Sequence, residues 1–257
     1  MNNYFEYKLT HNQIFFTYTN KSEIDEREIH TYNEILFYLG DDIPFLTETF
    51  STQVTKKSLI YIPKEKYHYF DNSNTNIPRL KIAFYDNEAF ANVLTKLNDI
   101  KIINQFNETI HFALNKICSV LENCDSESEK LSAVGAFCIL LTEIGKIENS
   151  ITKTISRTIS ESIDFIADNL QNEINICQLS QKLGISQSAL THNFKKEIGI
   201  SVHKYIQQKR LILAKSLIEE GNKPTKIYFD CGYSDYSSFY KAYLKMFGYP
   251  PSILEKR

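Results

Sequence analysis

Ile176-Cys177-Gln178-Leu179-Ser180-Gln181-Lys182-Leu183-Gly184-Ile185-Ser186-Gln187-Ser188-Ala189-Leu190-Thr191-His192-Asn193-Phe194-Lys195-Lys196 is the stretch that decides how this chain is organised. A short apolar helix stops at Gly184. Ser186 offers a capping oxygen, and a second helix follows with Leu190 and Phe194 four residues apart. The same grammar returns in Ile227-Tyr228-Phe229-Asp230-Cys231-Gly232-Tyr233-Ser234-Asp235-Tyr236-Ser237-Ser238-Phe239-Tyr240-Lys241-Ala242-Tyr243. There Gly232 makes the turn, a serine is the expected cap, and Phe239 and Tyr243 repeat the paired anchors. The two helix-turn-helix motifs span about 176–196 and 224–245.

A helix that reads duplex DNA buries one face and offers the other to base edges. With Leu190 and Phe194 inside, Gln187, Ser188, Thr191, His192 and Lys195 face outward. With Phe239 and Tyr243 inside, Tyr236, Ser237, Tyr240 and Lys241 do the same. Gln can pair bidentately with adenine, Ser and Thr reach several edges, and Lys favours guanine or phosphate. Lys195, Lys196, Lys204, Lys209 and Arg210 are candidates for phosphate contacts, which position a domain without specifying sequence. One such motif describes many surface helices equally well. Two in register, each with a glycine turn and paired anchors, make DNA binding the stronger reading.

Charge agrees. Residues 151–257 hold 15 Lys/Arg against 10 Asp/Glu, whereas residues 1–150 hold 14 against 21. An anionic partner should meet the C-terminal half. A hydrophobic fraction of 42% with only 8 Gly and 6 Pro excludes a disordered chain. No apolar run is long enough for a membrane span, and MNNYFEYKLTHNQ lacks the layout of a signal peptide, so a cytoplasmic protein with no membrane partner is expected. The five Cys (118, 124, 138, 177 and 231) form no CxxC pair and read as buried free thiols.

The N-terminal part has a different period. Asn12–Thr19, Tyr32–Leu39, Ser58–Ile62 and Arg79–Phe84 read as strands, with Gly40-Asp41-Asp42 as a turn. Such spacing suggests a small barrel or sandwich. After Asp86 come a short helix over Ala89–Leu97 and two helical stripes over 106–121 and 126–147. Between these stripes, Asp125-Ser126-Glu127-Ser128-Glu129 supplies a polar turn with capping residues. The boundary is placed in Ile147–Lys153, where the charge balance changes sign. This gives domain 1–150, with helices in 88–147, and domain 151–257, with about seven helices.

Residues 160–252 resemble the DNA-binding domain of the AraC/XylS family of bacterial transcription regulators. The resemblance rests on Leu183-Gly184-Ile185-Ser186, Leu190, Phe194-Lys195-Lys196 and Gly199. It continues through Tyr205, Arg210 and Ala214–Leu217 of a long linking helix. The second unit adds Gly232-Tyr233-Ser234-Asp235, Ser237, Phe239, Lys241, Tyr243, Gly248 and Pro251. The chain departs from the family at Ser180 and Tyr228, where a small alanine is usual. Pro224 stands for an aliphatic residue, and Leu254-Glu255 replace a Tyr-Arg pair. These departures bear on how tightly the second unit packs.

The strand-rich half resembles, more loosely, the cupin-like barrel of this family, which implies an effector-binding and dimerisation domain. The fold class expected is therefore α+β: an N-terminal cupin-like β-barrel with flanking helices, plus an all-α C-terminal domain with two helix-turn-helix subdomains. His30, Tyr32, Glu34, Tyr61 and His68 are the polar groups expected to converge in an effector pocket. His30 and Glu34 sit as in the first cupin motif; Pro63, His68 and Asn72 are spaced as in the second. His30, Glu34 and His68 could supply three metal ligands, but the resemblance implies an organic effector, so no metal and no cofactor is expected.

The whole reads as a sequence-specific regulator of promoter DNA, not an enzyme. The resemblance implies a homodimer, contact with RNA polymerase, and activation rather than repression. Two alternatives stay open. One is an effector-independent regulator controlled by a protein partner or by abundance. The other is a metal-binding cupin enzyme fused to a DNA-binding domain.

Overall fold

A computed structural model describes residues 4–9, 12–19, 27–70, 78–123, 126–148 and 155–252. Ten strands come mainly first: β1 (Tyr4–Leu9), β2 (Asn12–Thr19), β3 (Arg27–Glu28), β4 (Asn33–Tyr38), β5 (Ile43–Thr47), β6 (Ser51–Val54), β7 (Leu59–Ile62), β8 (His68–Phe70) and β9 (Arg79–Phe84), then β10 (Lys101–Ile103) after a short helix α1 (Ala91–Leu94). Helices α2 (Glu108–Asn123) and α3 (Glu127–Lys146) complete this half. The other half is α4 (Arg157–Asp168), α5 (Ile176–Lys182), α6 (Gln187–Ile198), α7 (Val202–Glu219), α8 (Pro224–Ile227) and α9 (Tyr236–Phe247).

The strands make two antiparallel sheets, ordered β1-β2-β9-β4-β7-β10 and β3-β8-β5-β6. Among the described residues no ladder joins them, so the cupin-like domain is a two-sheet sandwich rather than a closed ring. The period of 2 sorts each central strand of the larger sheet into two faces. Leu36, Tyr38, Ile60 and Ile62 face the smaller sheet and pack with Ile43, Phe45, Phe50, Val54 and Phe70. Ile35, Leu59, Tyr61, Leu80, Ile82 and Phe84 face the other way, against Ile110, Leu114, Ile117, Phe137, Leu140 and Ile144 of the α2–α3 hairpin. Ser126 caps α3 by accepting from the Glu129 N–H, as the polar turn implied. The buried Lys101 closes the far end, its Nζ donating to the carbonyls of Ile144 (3.2 Å) and Ile147 (2.5 Å). A cation suits that end of the helix dipole.

The C-terminal half has six helices among its described residues, not the seven expected from its sequence. Two clusters share α7. Val202, Tyr205 and Ile206 pack with Leu190, Phe194, Ile198 and the isoleucines of α4. Leu211, Ala214 and Ile218 pack with Ile227, Cys231, Phe239 and Tyr243. Ile29 and Tyr67 of the sandwich belong to the first cluster, so the two halves share a piece of core.

The boundary expected at Ile147–Lys153 lies partly outside the described residues, as do Asn72, Cys124, Asp125, Leu254 and Glu255. Of the thiols, Cys231 is buried and pushed up to about 12, by burial and then by Asp230. Cys177 is exposed, against expectation, because it lies on the outer side of α5. Among the described residues no helix is long and apolar enough to cross a membrane.

Candidate nucleic-acid interface and interdomain cleft

The first unit is built as its sequence suggested. Ser186 is extended (φ −72°, ψ 152°) and its Oγ accepts from the Ala189 N–H, which starts α6. Gly199 ends it in the left-handed region at φ +87°, donating its N–H to the Lys195 carbonyl. Leu190, Phe194 and Ile198 form the buried stripe. On the opposite side, Gln187, Ser188, Thr191, His192 and Lys195 line one shallow concave patch. Thr191 spends its hydroxyl proton on the Gln187 carbonyl (2.8 Å), leaving an acceptor outward. Lys196 is also exposed.

In the second unit the cap is Asp235, not the serine expected. Its carboxylate accepts from the Ser238 N–H at 2.8 Å. That bond is the main reason its carboxyl lies below the ordinary range. Phe239 and Tyr243 are buried as expected, and Ser237 and Lys241 are exposed. Tyr236 and Tyr240 are only half-exposed. Tyr236 packs edge-on against Tyr228 (5.9 Å between centroids) and lies 6.2 Å from Tyr240. The large Tyr228 is thus accommodated by an aromatic neighbour at the turn. Pro224 fits because it opens α8, where a missing N–H costs nothing.

Two candidates for phosphate contacts are engaged elsewhere. Arg210 donates Nε to the Leu170 carbonyl (3.0 Å), Nη1 to Gly232 (2.8 Å) and Nη2 to Asn172 (2.7 Å). Its guanidinium joins two loops through three carbonyls, and burial lowers its pKa. Lys209 turns to the sandwich, pairing with Glu48 at 2.5 Å and donating to the Glu65 carbonyl at 2.9 Å. Spacing alone put both on a basic face; neither long side chain reaches it.

The expected effector residues separate into two groups. His30, Glu34 and His68 converge in a buried cluster. The His30 and His68 Nε2 atoms face Glu34 Oε2 at 3.3 and 3.5 Å, and Lys81 Nζ sits 2.5 Å from Glu34 Oε1. Burial would raise the Glu34 carboxyl, but Lys81 and then His30 and His68 hold it well below the usual carboxylate range. Tyr32 stacks on His30 with centroids 4.1 Å apart. Tyr61 does not join them. Its neighbour in the ladder is Ile35, not Glu34, so it faces the α2–α3 side and donates its hydroxyl to Asn33 (3.1 Å).

Among the described residues, the sandwich interior is packed with the aromatic and aliphatic residues named above, beside the His30–Glu34–His68 cluster. A cleft of about 870 Å³ lies instead between the halves. Ile29, His30, Thr31, Tyr32 and Tyr85 form one wall; Lys204, Gln207, Leu211, Lys215, Lys245 and Phe247 are prominent in the other. Sequence reasoning missed the C-terminal contribution: of those lysines it singled out Lys204, as a phosphate contact, and nothing local links α7 to the sandwich. Lys215 is buried beside the Phe247 ring (5.1 Å), and burial lowers its pKa against the pull of Glu219.

A basic all-helical domain with two capped helix-turn-helix units defines a DNA-binding module. A helix-turn-helix domain family matches residues 179–257. "Probable transcriptional regulator LumQ" of Photobacterium leiognathi is 38% identical over 90 residues, 35% of this chain and 36% of that protein. The "Arabinose operon regulatory protein" of Escherichia coli (strain K12) is 27% identical over 116 residues, 44% of this chain and 40% of that protein. The chain thus spans well under half the length of these relatives. A crystal structure of ToxT from Vibrio cholerae O395 aligns over 95% of this chain and 96% of that one, at 14% identity and a TM-score of 0.45. Residues 179–257 of this chain thus match a helix-turn-helix domain family, in the half where the structure shows two such units.

Proposed function

We propose that the chain is a sequence-specific transcription regulator that reads promoter DNA through α6 and α9. The observation that carries this reading is the shared outward face of Gln187, Ser188, Thr191, His192 and Lys195 on a doubly capped helix. Repetition of the unit around α7 supports it. The first unit offers the more varied set of hydrogen-bonding groups and supplies most of the base choice. The second, with Tyr236 and Tyr240 packed among aromatics, mainly grips the backbone through Ser237 and Lys241.

The sandwich senses a small-molecule effector through the interdomain cleft, where His30 and Tyr32 meet Lys204, Lys215 and Lys245. Three lysines in one wall favour an anionic effector with an apolar body. Family resemblance adds a homodimer and contact with RNA polymerase in activation. Phe112, Leu131 and Ile139 are large apolar side chains exposed on α2 and α3, as a dimer surface requires.

The test is selection of duplexes from a random-sequence library by the purified full chain. The expected result is enrichment of two short conserved blocks about 10 base pairs apart, the spacing of successive major-groove faces. A dimer duplicates the pair. Recovery of unenriched sequence would overturn the reading.

A further inference from the structure

We propose that His30, His68 and Glu34 form a binding site for a divalent transition-metal ion of the zinc class, set between the two sheets beside the interdomain cleft. The reading departs from the organic-effector expectation and does not depend on the DNA-binding one.

The argument starts from the ring protons. His30 Nδ1 lies 2.6 Å from the Tyr32 carbonyl, and His68 Nδ1 lies 3.2 Å from the Lys66 carbonyl. A carbonyl oxygen only accepts, so each Nδ1 carries the proton. In the neutral tautomer the other nitrogen, Nε2, is then the one that can ligate an ion. Both Nε2 atoms point at Glu34 Oε2, itself an acceptor. The three ligand atoms lie within 4.8 Å of one another and all three residues are buried, so they converge on one point between the sheets. Imidazole Nδ1–H bound to a backbone carbonyl is also the usual outer support of a metal-ligating histidine.

The two edges that meet at Glu34 Oε2 agree. Zinc bonds to N and O are about 2.0–2.2 Å, so the edge of a tetrahedral site is about 3.3 Å. The two Nε2–Oε2 separations are 3.3 and 3.5 Å. A charge-assisted N–H···O bond would be shorter, about 2.7–2.9 Å. Two imidazoles and one carboxylate suit zinc or its neighbours rather than Mg²⁺ or Ca²⁺, which prefer oxygen donors.

The supports are rigid. Glu34 is on β4 of the larger sheet and His68 on β8 of the smaller. His30 precedes β4 and reaches the cleft wall, which gives the ion a path. Lys81 holds Glu34 Oε1 at 2.5 Å, leaving Oε2 for the ion. Because Lys81 already shares the carboxylate's charge, an anionic ligand in the open fourth position would balance the ion. The ion would link the sheets next to the cleft that separates the domains.

The experiment uses the full chain, stripped with a chelator and titrated with Zn²⁺ and with Co²⁺ as a visible probe. The expected result is one Zn²⁺ per chain by elemental analysis after desalting. Co²⁺ should give an intense visible band of four-coordinate type with no thiolate charge-transfer band. His68→Gln should bind Zn²⁺ more than about 100-fold more weakly, beyond the loss typical of an outer-shell change. Cys177→Ser should bind normally. Substoichiometric Zn²⁺ in the unmodified chain, a thiolate band, or undiminished binding by folded His68→Gln would each overturn the proposal. The first two readouts hold even if His68→Gln does not fold.

Discussion

Arg210 Nη1 donates to the carbonyl of Gly232 at 2.8 Å, and the guanidinium lies against the glycine's α-carbon where a side chain would begin. Gly232 sits at φ +74°, in the left-handed region. One arginine on the linking helix thereby fixes the turn of the second helix-turn-helix unit. Its other bonds, to Leu170 and Asn172, fix the segment that leads into the first. The relative setting of α6 and α9 rests on this guanidinium as well as on the apolar clusters along α7.

Gly232→Ala should therefore destabilise the C-terminal domain by about 1–3 kcal/mol, from backbone strain together with displacement of Arg210. Arg210→Lys should cost a similar amount, because an ammonium cannot span three carbonyls as the planar fork does. Urea titration of the full chain by circular dichroism checks both. An unchanged midpoint for Gly232→Ala would show that the turn does not need its glycine.

Much of this was legible in the chain. Asn12–Thr19 and Arg79–Phe84 coincide with β2 and β9, because β-branched and aromatic residues at period 2 leave little choice. The stop read at Gly184 falls just past the end of α5, and Gly199 and Gly248 end α6 and α9 in the same way, each at positive φ. β10 was missed because Lys101-Ile102-Ile103 is too short to show a period and is fixed only by pairing with β7. At the candidate sites, local spacing found the outward face of α6. It did not find that Arg210 and Lys209 turn inward, since their partners lie in distant loops or the other half. Nor did it show that Tyr61 faces away from Glu34, which depends on the register Ile35↔Tyr61.

Lys195 and Gln187 lie on the same patch but should fail differently. Lys195→Ala should weaken binding to all duplexes alike and reduce the slope of log affinity against log salt by about 0.9. Gln187→Ala should leave that slope unchanged and relax preference at one base pair by about 1–3 kcal/mol. Fluorescence anisotropy at several salt concentrations separates the two. A sequence-independent loss for Gln187→Ala would move it to the backbone-contact class.

Glu48 holds the halves together. Its Oε1 accepts from the Tyr67 N–H (2.9 Å) and pairs with Lys209 (2.5 Å). It also bonds the Tyr205 phenol, whose pKa burial and then this carboxylate push well up. Tyr67 and Tyr205 meet edge-on beside it, 6.1 Å between centroids. Glu48→Gln should cost about 1.5–3 kcal/mol, the usual scale for hydrogen bonds to a charged group. Glu48→Gln with Lys209→Met should cost less than the sum of the single changes, because they share one interaction. Additive effects in a urea cycle would show that the pair is not coupled.

Asp235 gives α9 a pH-dependent cap, where α6 is capped by the uncharged Ser186. Its carboxyl is lowered in the folded state by the Ser238 N–H, then by the Ser238 side chain and, more weakly, by Ser237 and Lys241. A folded pKa below the unfolded one means that the charged cap stabilises the fold at all pH values above the unfolded pKa, about 3.9. That contribution fades as pH falls through the folded value. Asn is an equally good neutral cap, so Asp235→Asn isolates the charge. The thermal midpoint of the unmodified chain should exceed that of Asp235→Asn by a constant margin from pH 7 to pH 5. The margin should then narrow below pH 4. Ser186→Ala should show a deficit that does not change over the same range. If the Asp235→Asn margin is flat down to pH 3, the carboxylate contributes nothing as a charge and acts only as a hydrogen-bond acceptor.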